Sequence, residues 1–167
     1  MLRGMLTTFL LTLSLAPVEG AENLVPNGGF EEGLKGWWVG ISKGPRELIR
    51  GEVVRDAKEG RFAARVTMLT DDWIGEISSS WFPVKGGERY VLTFWYRTEN
   101  LSVPIAANVR IVVKREDGSL DVPNFGWFRV RASPTWRKAR FEFVFPPDAA
   151  RSYLCLLYTS PSPRDRG

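Results

Sequence analysis

Apolar and polar residues alternate along much of this chain, and the cleanest alternation follows the pair Gly86-Gly87. From Arg89 to Arg97, Tyr90, Leu92, Phe94 and Tyr96 fall on one side of an extended strand, with Val91, Thr93, Trp95 and Arg97 on the other. Leaving the first set in water would forfeit roughly 1.5–3 kcal/mol for each large side chain, so that face is predicted to be core and Trp95 to point outward. An outward face normally shows polar groups to water, so a tryptophan between Thr93 and Arg97 marks a surface with a task.

Further period-two sets occur at Val53-Val54, Phe62/Ala64/Val66/Met68, Val109/Ile111/Val113 and Phe141/Phe143/Phe145, divided by turn signals such as Asp117-Gly118. No helical period interrupts them. Many short strands punctuated by Gly, Pro and Asp predict an all-β chain folded as a jelly-roll-like antiparallel β-sandwich. With 167 residues, 44% of them hydrophobic, one monomeric domain with a substantial core is expected.

The two ends read differently. Residues 1–20 carry Arg3, an apolar run from Met5 to Leu15, Pro17 and the small-residue site Val18-Glu19-Gly20. This pattern predicts a secretory signal peptide cut before Ala21, hence a secreted, extracellular protein that meets a membrane only if the segment is retained. After Leu154 the alternation is lost in Cys155-Leu156-Leu157-Tyr158 and a Ser/Pro/Arg-rich stretch, so the domain is predicted to span residues 21–154 and residues 155–167 to be a dispensable tail, non-native or disordered.

Charge and residue usage narrow the function. The net charge is +4, but the basic residues are scattered singly, which argues against nucleic acid as a partner. The absence of histidine removes histidine-based acid/base chemistry, Ser-His-Asp and Cys-His triads and most zinc sites. A single cysteine allows no internal disulfide. The neighbouring acidic pairs Glu31-Glu32, Asp71-Asp72 and Glu116-Asp117 do not nominate two carboxylates flanking a glycosidic bond, because adjacent strand residues point to opposite faces.

Four motifs occur in order: Asn23-Leu24-Val25-Pro26-Asn27-Gly28-Gly29-Phe30-Glu31 leading to Gly36-Trp37, Asp56 to Val66 with Gly60 and Ala63, Trp73 to Arg97 with its Gly-Gly turn, and Trp136 to Phe145. Together they resemble carbohydrate-binding modules of the cellulose- and xylan-binding type, families 4 and 9, with a galactose-binding-domain-like sandwich. The resemblance implies non-catalytic binding of a β-linked polysaccharide or oligosaccharide in a concave groove, as an accessory module of a secreted glycoside hydrolase. It also implies a structural calcium ion, with Glu31, Asp56 and Gly60 matching its site, and one more strand beyond Leu154 than the pattern shows.

Sugar rings offer a face of polarised C–H groups to an aromatic plane and hydroxyls to polar side chains. Trp95 and Arg97, Asn108 and Arg110 on the polar face of the next strand, and Glu142 are the candidate platform, with Arg65 and Ser79 beside it and Trp81 and Trp127 at the rim. Trp37, close to the motif glycines, reads as structural. Two rivals remain open: an extracellular interaction or adhesion module on the same scaffold, and a small glycosyl-bond hydrolase.

Overall fold

The computed structural model describes residues 7–17, 22–41, 45–69, 75–100, 105–123 and 127–158. Among them the strands are β1 (Thr7–Pro17), β2 (Trp37–Ile41), β3 (Ile49–Val54), β4 (Ala63–Met68), β5 (Gly75–Ser79), β6 (Phe82–Pro83), β7 (Arg89–Glu99), β8 (Ile105–Arg115), β9 (Leu120–Asp121), β10 (Trp127–Arg131), β11 (Arg137–Val144) and β12 (Ala149–Tyr158). The only helical element among the described residues is a 3-10 turn at Arg46–Leu48. One sheet has the order β11-β7-β1-β4-β3 and the other β10-β8-β12-β5-β2, with β6 beside β12 and β9 beside β8. The pairs are antiparallel, giving the predicted all-β sandwich.

The alternation in β7 is realised as predicted: Tyr90, Leu92, Phe94 and Tyr96 are buried and the residues between them half-buried. Their core partners from the other sheet include Ile77, Val109, Ile111, Leu154 and Leu156. Both tyrosines keep their polar end satisfied, since Tyr96 donates to the Arg131 carbonyl (2.8 Å) and Tyr90 accepts from the Lys85 amide (3.0 Å). The turn before β7 needs both its glycines. Gly87 has φ +79°, and a Cβ on Gly86 would stand 2.1 Å from the Pro147 carbonyl oxygen.

Two expectations are corrected. β8 does not lie beside β7; it joins the other sheet, and the neighbours of β7 are β11 and β1. The tail boundary at Leu154 does not hold either, because β12 runs on through Cys155, Leu156, Leu157 and Tyr158, paired with β5 and β8. Leu154, Leu156 and Tyr158 enter the core while the outward positions Cys155 and Leu157 are apolar as well, so no alternation marks the strand. The residues expected to follow as tail, 159–167, lie outside the described residues. Thr7–Pro17, within the segment read as a leader, forms β1 between β4 and β7.

Candidate functional site

The outer face of the seven-stranded sheet follows from the burial of β8. Ala107, Val109, Ile111 and Val113 enter the core, so Asn108, Arg110 and Lys114 point the other way. The strand registers then align one row across this face: Trp38 opposite Ser78, Ser78 opposite Cys155, Cys155 opposite Arg110, and Arg110 opposite Trp127. A second row runs Gly40, Glu76, Leu157, Asn108, Arg129. At ~4.8 Å per strand, each row is about 19 Å long.

Trp38 is the most exposed tryptophan side chain among the described residues, at 42%. A Cβ on Gly40 would lie 2.4 Å from its ring, so the indole is laid down over the bare backbone of Gly40. Its neighbour Trp37 turns inward, packs against Phe30 at a 44° tilt (centroids 5.1 Å) and donates Nε1–H to the Pro26 and Asn27 carbonyls (3.2 and 3.1 Å). At the far side of β5, Trp81 meets Tyr153 edge to face at 4.7 Å, and the Lys114 ammonium stands 6.0 Å from the Trp81 ring.

Between the aromatic groups, the Cys155 thiol donates to Glu76 Oε2 at 2.8 Å and Ser78 Oγ donates to the same oxygen at 3.4 Å. Burial, reinforced by the Glu76 carboxylate, pushes the Cys155 thiol up to about 12. It therefore stays a protonated hydrogen-bond donor that orients Glu76, and it is no nucleophile.

The opposite sheet carries the other half of the predicted platform. Trp95 is half-buried, and the Lys58 and Lys138 ammonium groups stand 5.6 and 5.8 Å from its ring. It borders a cavity of about 290 Å³ lined by Ser14, Asn23, Glu59, Thr93 and Lys138 among others, the small end of the ligand-pocket range. The charged groups nearby are already committed. Arg97 pairs with Asp56 and Glu99, Arg65 donates twice to Glu52 (2.9 and 2.7 Å), and Glu142 accepts from Arg89 and Arg140 (both 3.1 Å). Those two guanidinium groups hold the Glu142 carboxyl below the usual carboxylate range, Arg140 contributing more.

The predicted site is thus split between two faces. Trp95, Arg97 and Glu142 share one sheet; Asn108, Arg110 and Trp127 share the other, with Trp81 at its edge, and Ser79 is buried. Only the backbone position of Trp127 is described. Sequence reasoning missed Trp38, Glu76 and Tyr153. A signal for Trp38 was present: adjacent strand residues face opposite ways, so a structural Trp37 sends Trp38 to the surface.

The residues expected to hold calcium do not fit one as placed. Glu31 accepts from Arg61 (2.8 Å), Asp56 is held by Arg97, and among the described residues no three acidic, histidine or cysteine side chains converge. Calcium needs six to eight oxygens at one point.

A family model described as a carbohydrate binding domain matches residues 22–162. Among solved structures, the enzymatically active domain of tailspike protein 4 from bacteriophage CBA120 aligns with TM-score 0.68 and 15% identity, over 83% of this chain and 19% of that one. This chain therefore spans about a fifth of the length of that solved chain. A structure titled "CBM4 structure and function" aligns with TM-score 0.53 and 16% identity, over 83% of this chain and 97% of that one. The CBM22-1 xylan-binding domain of Xyn10C from Paenibacillus barcinonensis aligns with TM-score 0.50 and 16% identity, over 78% of this chain and 86% of that one. At these identities the structures speak for a shared fold. No curated protein sequence matches.

Proposed function

Because the chain belongs to the carbohydrate-binding domain family, we propose that it holds a β-linked polysaccharide or oligosaccharide across the outer face of the seven-stranded sheet, without cleaving it. The observation that carries this is Trp38, exposed and lying over the bare backbone of Gly40 at one end of a polar row. A sugar ring stacks its C–H face on such an indole, while Arg110 and Asn108 can donate to its hydroxyls and the Glu76 carboxylate can accept from them. A row of about 19 Å is long enough for several sugar units, which suits a chain rather than a single ring.

A second reading keeps the sugar at Trp95 on the opposite sheet, and the cavity beside that residue favours it. The test is affinity electrophoresis in soluble β-glucan and xylan. Trp38→Ala is expected to lose most of its retardation and Trp95→Ala to keep it. The reverse pattern moves the site to the Trp95 cavity, and full retardation in both variants defeats both placements. Within a longer protein, this module would act as the accessory part of a secreted glycoside hydrolase. Two features support that role: the leader-like composition of residues 1–20, and a structural neighbour that is by its title the xylan-binding domain of Xyn10C.

A further inference from the structure

The sheet opposite Trp38 contains an unusual central member. β1 sits between β4 and β7, with ten of its eleven residues opposite β7, from Thr8↔Glu99 to Pro17↔Tyr90, and Thr7 to Leu11 opposite β4. Leu10 and Leu15 are 1% and 0% exposed, and Thr8 and Ala16 are buried with them. Leu11, Leu13 and Leu15 hold register positions opposite Tyr96, Phe94 and Leu92, the core face of β7. Yet this strand has the composition of a leader, and the segment that follows it is tied to it near its C-terminal end. There the Leu24 amide donates to the Leu15 carbonyl (2.7 Å), and Asn23 Oδ1 accepts from the Leu15 amide (3.0 Å).

Without β1, the facing edges of β4 and β7 would stand about 9.6 Å apart, two strand spacings, which is too far for them to pair. Each would present a row of open N–H and C=O groups above an apolar floor, the arrangement that binds an added strand. We infer that the position between β4 and β7 is a strand-acceptor slot that residues 7–17 fill as a separable element. Cut from the chain between residues 17 and 22, they remain as a non-covalently bound peptide, and an extended peptide with the same apolar pattern can replace them in trans. A chain processed at Ala21 then keeps its fold by retaining the severed strand. This inference does not rest on the sugar reading, which concerns the other sheet.

The test uses the full chain with a protease site substituted at residues 18–21, cut while folded. The severed fragment is expected to co-elute with residues 22–167 in native size-exclusion chromatography and to separate in concentrated guanidinium. On refolding with excess fluorescent peptide of residues 7–17, the peptide should be captured. A peptide carrying Leu15→Asn places a polar amide on the core floor and should be captured at least about tenfold less. The matched Ser14→Asn peptide, changed at a half-buried position on the outer face, should be captured as well as the parent. Separation of the cut fragment under native conditions, whether the remainder stays folded or precipitates, overturns the inference. Equal capture of the Leu15→Asn and parent peptides also overturns it, since sequence register would then play no part.

Discussion

Gly40→Ala tests whether the seat of Trp38 on Gly40 makes the platform, rather than the mere presence of an indole. The new Cβ would stand 2.4 and 2.5 Å from two ring atoms, so the ring must lift or swing away. The backbone itself tolerates alanine, which removes the entropic cost of about 0.5–1 kcal/mol that glycine carries in a strand. Little change in thermal midpoint is therefore expected. Binding is another matter. Trp38 is 42% exposed, and a tryptophan offers up to ~250 Å² in all, so a stacked sugar covers at most about 100 Å² of it. At ~25 cal/mol per Å² this is up to about 2.5 kcal/mol, or roughly 70-fold in Kd. Trp38→Ala should approach that loss, and Gly40→Ala should lose a substantial part of it while the indole remains. Isothermal titration with a soluble xylo- or cello-oligosaccharide reads both, with the near-ultraviolet circular dichroism spectrum as the check on folding. Wild-type affinity in Gly40→Ala beside a large loss in Trp38→Ala would refute the argument from ring orientation. Wild-type affinity in both would refute the choice of face.

Other outcomes follow from the packing and the titrating groups. Phe94→Ala, at a buried position with aromatic neighbours Tyr96 and Phe141, should cost about 3–5 kcal/mol in urea unfolding and abolish sugar binding only through loss of the fold. The Cys155 thiol should resist iodoacetamide at pH 8 in the folded chain and react in denaturant. Because its folded value is raised from 9.0 to about 12, the stabilising contribution is complete below 9.0 and is lost as pH climbs toward 12, and Cys155→Ser should flatten that alkaline decline. Added calcium should leave the thermal midpoint unchanged while Arg61 and Arg97 hold Glu31 and Asp56; a rise would show that these carboxylates regroup around the ion.

What the sequence determined by itself is the local part of the fold. In β7, side-chain direction is set by a two-residue period, so the buried set Tyr90, Leu92, Phe94, Tyr96 could be read without any knowledge of its neighbours. The Gly86-Gly87 turn and the Asp117-Gly118 turn were legible for the same reason, because φ preference belongs to the residue. The family-bearing motifs were legible too, as ordered spacings within residues 22–162. Tertiary structure decided which strands are neighbours. Asn108 and Arg110 were correctly read as outward, but outward from β8 means the face opposite Trp95, because β8 crosses to the second sheet. Strand pairing joins residues far apart in the chain, and no periodicity within β8 encodes its partners. In β12 and β1 apolar residues stand at outward as well as inward positions, so no alternation announced a strand. An apolar run suits the middle of a sheet as well as it suits a leader, since both environments reward the removal of apolar surface from water. Only the ladders of β1 to β4 and β7 place Thr7–Pro17 in the sandwich.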